Sequence, residues 1–252
     1  MSFKTVSSYL LDLLFVPKCA GCGERLSPAP DTCLCPSCHL IYEMERAKEC
    51  AKCQRPLTEC SCSTENLEKA KVFRLSKLTV YQPASNDYVI NKMIFKLKKK
   101  AEYHTVEFLA DELARNISEV IKPQKDYIIT YAPRSKRAIS RYGYDHMEIL
   151  ARKTAERLDL PFARLLKRDS DVEQKRLSYA ERIKSIRLSY ENKDNVDIKG
   201  KSLILMDDIV TSGATLSEGA RKLRKNGAQT VTCAVIAVSR STYVKYRIIK
   251  KH

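Results

Sequence analysis

The chain has 252 residues, 44% of them hydrophobic and 30% charged, enough to build one medium α/β domain plus a small appendage and against a disordered or collagen-like chain. Its net charge is +16, unevenly spread: residues 1–66 hold 7 Lys/Arg and 8 Asp/Glu, and residues 67–252 hold the other 39 and 22. All of the basic excess therefore lies downstream of residue 66, where it suits anionic partners.

No stretch approaches 18 uninterrupted apolar residues, so no transmembrane segment is expected. Residues 1–16 contain Leu10, Leu11, Leu13, Leu14, Phe15 and Val16, but Asp12 interrupts the run and no small-x-small cleavage site follows. Pro17 and Lys18 ahead of Cys19 do not suit a lipoprotein. A short packed helix and a place inside the cell are the expectation, and there cysteine pairs more often bind metal than form disulfides.

Nine of the ten cysteines fall between Cys19 and Cys62. Cys19-x2-Cys22, with Gly21 and Gly23 for the tight turn, and Cys35-x2-Cys38 after twelve intervening residues form one set of four. Cys50-x2-Cys53 with Cys60 and Cys62 form a second, whose last spacing is one residue and leaves Cys33 as a possible substitute. Two facing turns of this kind give a tetrahedral thiolate site with no open position, so two structural zincs are expected. The segment has little apolar content and should depend on its metal to fold. His39 reads as a solvent-exposed residue beside Cys38, and the first domain is placed at residues 1–66.

From residue 67 to 252 strands and helices alternate, which predicts a parallel, doubly wound α/β sheet. Leu78–Tyr81 reads as a strand. Residues 86–100 and 106–121 have helical apolar spacing, and 127–132 reads as a strand stopped by Pro133. Residues 145–158 form a helix, 202–206 a buried strand, 213–226 a helix ended at Gly227, and 229–238 another buried strand. Where strand 202–206 ends, Asp207 and Asp208 are followed by Thr211, Ser212, Gly213, Ala214 and Thr215 at the start of a helix. Such a loop turns N–H groups and hydroxyls toward one anion. The adjacent carboxylates are poor phosphate ligands and good acceptors for vicinal hydroxyls, so the combination suits a ribose 5-phosphate.

MDDIVTSGATL resembles the phosphoribosyl-pyrophosphate motif of type I phosphoribosyltransferases. LLDLLFVPKCAGCG, CPSC, CAKCQRPL, then APRSKRAISRYGYDHMEILA, QKRLSYAERIKSI and DDIVTSGATL resemble, in this order, the ComF family of late competence proteins, with an amino-terminal zinc ribbon before a phosphoribosyltransferase-like domain. The resemblance implies a pyrophosphate loop at Arg134, Ser135, Lys136 and Arg137, with magnesium entering on bound pyrophosphate. It departs from the family at Tyr142, where an arginine usually precedes the glycine, and at Asp145, which replaces Asn. Residues 168–188 correspond to the loop that closes over the transferase site. The family also implies a cytoplasmic role in DNA uptake, at the inner membrane face through a partner, with single-stranded DNA and a helicase-like ATPase as partners. Lys98, Lys99, Arg137, Arg141, Arg176 and Arg182 are the candidate nucleic-acid contacts, among tyrosines that can stack on bases. No residue stands out as a nucleophile or base, and His104 and His146 read as packing or surface residues. A working transferase on a nucleobase-like acceptor and a non-catalytic scaffold remain the alternatives.

Overall fold

A computed structural model describes residues 17–26, 32–83, 85, 87–122, 126–168 and 188–239. The expected helix in 1–16, Arg176 and Arg182 with most of the 168–188 loop, and the tail from Arg240 lie outside the described residues. The described elements are α1 (Pro36–Arg46), α2 (Glu65–Lys69), β1 (Leu75–Tyr81), α3 (Val89–Lys100), α4 (Tyr103–Ser118), β2 (Tyr127–Tyr131), α5 (Lys136–Tyr142), α6 (His146–Leu158), β3 (Leu166–Arg168), β4 (Leu188–Tyr190), β5 (Ser202–Val210), α7 (Ala214–Lys225) and β6 (Thr230–Ser239).

The main sheet has the order β1-β6-β5-β2, and every pairing in it is parallel. Its central strands are apolar on both faces because helices cover both. Along β5 the side chains alternate: Ile204 and Met206 enter a core with α3, α4 and α6, whereas Leu203 and Leu205 enter a second core with α7 and the β3–β4 pair. β3 and β4 pair antiparallel and were not expected from the sequence.

The cysteine-rich segment straddles the β1 edge. Cys19, Cys33, Cys38 and Tyr42 join the first core, and Cys50, Leu57, Cys60 and Leu67 join the second. The backbone N–H of Leu75 donates to Ser61 O at 3.0 Å, and Thr79 Oγ1 donates to Glu45 O at 3.0 Å. An exposed parallel edge would invite foreign pairing, and this cover removes it.

The observed strand β1 starts at Leu75, three residues before the sequence pattern suggests. Lys77 hides that start: it is buried, and its ammonium donates to the carbonyls of Cys60 (2.7 Å), Cys62 (3.2 Å) and Leu75 (3.3 Å). β5 likewise runs on to Val210, so Asp207 and Asp208 sit inside the strand and not beyond it. Helix α5 lies where only a loop was expected, capped by Ser135 Oγ accepting from Ala138 N at 3.3 Å and ended by Gly143 at φ +80°. No helix among the described residues is long and apolar enough to cross a membrane.

Candidate functional site

The thiol sulfurs of Cys19, Cys22, Cys35 and Cys38 lie within 4.8 Å of one another, and so do those of Cys50, Cys53, Cys60 and Cys62. Tetrahedral Zn–S bonds of about 2.3 Å would set sulfurs about 3.8 Å apart, and Cys22 Sγ lies 3.7 Å from Cys35 Sγ. Cys19 Sγ accepts from the N–H groups of Gly21 (3.3 Å) and Cys35 (3.2 Å), and Cys60 Sγ from that of Cys62 (3.3 Å). Burial raises the Cys19 thiol, but the N–H donors of Cys35, Cys22 and Gly21 outweigh it and bring the group down to about 6. The hydrogen bond from Cys60 draws Cys50 down to about 4, against burial. One thiol in each set is thus lowered, whereas Cys22, Cys38, Cys60 and Cys62 are raised, and the two convergent four-sulfur groups fit structural zinc. Cys33 belongs to neither set: burial pushes its thiol up to about 12. His39 is half-exposed at 3.8 Å from Glu43.

At the carboxyl ends of β2 and β5 opens a cavity of about 370 Å³. Ligands of open parallel sheets bind at such strand ends. Asp207, Asp208, Ile209 and Thr215 line one side, Arg134 and Ser135 another, and Lys98, His146 and Arg168 complete it. Asp208 Oδ2 receives Lys98 Nζ at 2.8 Å and His146 Nε2 at 2.9 Å, and its Oδ1 accepts from Ile209 N at 2.6 Å. Burial, followed by the Asp208 charge, lifts the Asp207 carboxyl far above the usual range. Burial also acts on Asp208, but Lys98 and His146 overcome it and hold that carboxyl below the usual range. The pair therefore has one firm anion and one neighbour that ionises late. With Lys98, Arg134 and Arg168 around it, the cavity offers cations for phosphate and carboxyl oxygens for hydroxyls.

The other candidate residues are placed as follows. Gly213 is buried at φ +81°, Ala214 N donates to Ser212 Oγ at 3.4 Å, and Thr211 is exposed. Arg134 NH1 donates to Lys98 O at 3.2 Å, and its backbone N–H to Asp145 Oδ2 at 2.7 Å. Lys136 and Arg137 open α5 and are exposed, outside the cavity lining. Arg141 is exposed with its guanidinium 5.4 Å from the centre of the Tyr142 ring, and Lys99 Nζ is 5.7 Å from that of Phe95.

Lys98, expected among the nucleic-acid contacts, has its ammonium on Asp208. His146, taken for a packing or surface residue, is buried in the site with Nε2 on Asp208, whereas its Nδ1 makes no hydrogen bond. Asp145, which stands where the family has Asn, caps α6 by accepting from Met147 N at 3.0 Å and thereby sets the first turn that carries His146. That adjacency was visible in the sequence as Asp145-His146. Its meeting with Asp208, 62 residues on, was not.

Comparison with known proteins places these features. The phosphoribosyl transferase domain family matches residues 148–251. The competence protein ComFC of Bacillus subtilis (strain 168) is 26% identical over 204 residues, covering 79% of this chain and 80% of its own. ComFC of Streptococcus pneumoniae (strain ATCC BAA-255 / R6) is 25% identical over 233 residues, covering 85% and 96%. A ribose-phosphate pyrophosphokinase of Saccharolobus solfataricus is 26% identical over 156 residues, covering 56% and 51%. The chain is thus similar to two competence proteins ComFC over most of its length, matches the phosphoribosyl transferase domain over residues 148–251, and has a parallel sheet edged by two four-cysteine groups.

Proposed function

We propose that this protein serves DNA uptake in natural transformation, binding phosphoribosyl pyrophosphate or a similar ribose phosphate in the cavity and single-stranded DNA on its basic surface. The observation that carries the reading is the Asp207–Asp208 pair set among Lys98, Arg134 and Arg168 at the strand ends. Magnesium would enter on the ligand's pyrophosphate, held mainly by ligand oxygens and water. Calorimetric titration of zinc-loaded protein with phosphoribosyl pyrophosphate and magnesium tests this. Affinity of micromolar order is expected for the wild type, and Asp207→Asn with Asp208→Asn should abolish it. No heat from the wild type would remove the ribose-phosphate reading.

Support for a single strand comes from the exposed Phe95 with Lys99, the exposed Tyr103 at the start of α4, and the half-buried Tyr142 between Arg134 (4.9 Å) and Arg141. Bases stack on such rings while phosphates meet the charges. Binding of an oligonucleotide should fall linearly in log–log form with salt, and Phe95→Ala should weaken it by about tenfold or more at fixed salt. Equal affinity would move the strand elsewhere. For the helicase-like ATPase partner, Leu40 and Met44 on α1 form an exposed apolar pair, 64% and 66% accessible. Charged substitutions there should release the partner in a pull-down with both zincs retained, and undiminished capture would exclude α1 as the dock. On this reading the protein works in the cytoplasm, at the inner face of the membrane through its partner.

A further inference from the structure

The second four-cysteine group does not end at its metal ligands. Two residues after Cys62, Thr64 caps α2, its hydroxyl accepting from Leu67 N at 3.4 Å. From the other half of the group, Lys52 Nζ reaches Glu68 Oε1 on the same helix at 2.5 Å. Lys77 clamps the Cys60–Cys62 turn from below, with 3.2 Å to Cys60 Sγ in addition to the two carbonyls. Helix α2 has five residues, far too few to persist alone, so its position is inherited from these anchors.

That helix rests against the loop at the end of β5. Asn66 Nδ2 donates to the carbonyl of Ser212 at 2.8 Å. Gly213 sits directly on the first turn of α2: a Cβ there would lie 2.6 Å from Thr64 Oγ1 and 3.2 Å from Leu67 Cγ. Leu67 is fully buried beneath it. Within the loop, Ser212 Oγ accepts from Ala214 N at 3.4 Å, and Ser217 N returns to Gly213 O at 2.8 Å as α7 begins. The backbone that would aim N–H groups at a phosphate is thus also held by the cysteine-rich segment.

We propose that the second four-cysteine group is a positioning device for the ribose-phosphate loop, with Asn66 as the positioning residue that couples metal occupancy to loop geometry. The proposal rests on the ribose-phosphate reading for its consequence and on the Asn66–Ser212 and Leu67–Gly213 contacts for its structure. With metal bound, the thiolates converge, the turn before Thr64 is fixed, and the loop keeps one shape. Without it, nothing draws the four sulfurs to one point, the turn before Thr64 is released and α2 loses that anchor, so the loop samples other shapes while β5 and α7 remain.

Hydrogen exchange of the backbone amides in residues 211–216, followed by mass spectrometry on the full zinc-loaded chain, tests the coupling without any ligand. Zinc content and melting temperature are measured alongside. Asn66→Ala should retain two zincs and unchanged protection in β6, yet exchange at 211–216 about fivefold to tenfold faster, the loss expected for one hydrogen bond. Cys62→Ser should lose one zinc and exchange there faster still. Unchanged loop exchange in Asn66→Ala with both zincs present overturns the proposal, whether or not Cys62→Ser folds. In parallel titrations, phosphoribosyl pyrophosphate should bind Asn66→Ala about fivefold to tenfold more weakly than wild type. If the wild type does not bind at all, the ribose-phosphate reading fails, and the exchange result still decides whether the loop is positioned from α2.

Discussion

Asp208 carries more of the cavity's electrostatics than its neighbour does. One carboxylate oxygen meets an ammonium and an imidazole, both held by other elements: Lys98 near the end of α3 and His146 at the start of α6. Asp207 has its shift in the opposite direction, raised by burial and by the charge on Asp208. A carboxyl raised in the free protein is still protonated at a pH where an ordinary aspartate has ionised. Its ionised form is the stronger acceptor for hydroxyls, so ribose-phosphate affinity should keep climbing as pH rises past neutrality. Calorimetry between pH 6 and 9 checks this in buffers of matched ionic strength, and a flat profile would show that Asp207 is already ionised or does not meet the ligand. Lys98→Met should weaken binding by about tenfold, since a charge-assisted hydrogen bond is worth about 1.5–3 kcal/mol. It should also push Asp207 further up, because the Lys98 charge is among those that lower it.

Among the elements, α3 is the one whose placement the cysteine-rich segment most visibly governs. Glu45 of α1 is buried, and its two oxygens accept from Val89 N (2.7 Å) and Ile90 N (3.2 Å), so it caps α3 from another helix. Tyr88, the residue that precedes α3, supplies no cap of its own. The far end of the same helix delivers Lys98 to Asp208. Burial raises the Glu45 carboxyl, and the two N–H donors and nearby lysines oppose it. Glu45→Ala should cost about 1–3 kcal/mol by stranding two buried donors, read as a lower denaturant midpoint with unchanged slope. A loss within a few tenths of a kcal/mol would mean that water replaces the carboxylate. The helices of the sheet domain were legible because their apolar periodicity is local. The capping of α3 was not, since its cap lies 44 residues upstream in a segment that reads as a separate metal-binding module.

For the whole molecule, the two four-cysteine groups sit on opposite faces of one sheet and contribute to both cores. Metal removal should therefore not melt a detached ribbon. A strong chelator is expected to lower the midpoint of the single main unfolding transition by on the order of 10 °C or more, several kcal/mol spread over a chain of this size. Differential scanning calorimetry with far-ultraviolet circular dichroism reads it. A sheet transition unmoved by zinc loss would show instead that the segment and the sheet are energetically separate.

What the order of residues determined by itself was a set of patterns among near neighbours. The x2 cysteine pairs, the buried apolar runs at 202–206 and 229–238, and the carboxylate pair ahead of a small-residue loop are each written within a dozen positions, and the parallel sheet follows from their alternation. Tertiary structure alone decided which distant groups meet: His146 and Lys98 on Asp208, Glu45 on α3, Asn66 on Ser212, and Lys77 under the Cys60–Cys62 turn. The physical reason is that a buried polar group must find a partner, but the chain's local pattern does not say which of many distant partners the packing of two cores will bring within reach. Lys77 even disguised its own strand, because a lysine in an apolar run reads as solvent-facing until the carbonyls that hold its ammonium are in place.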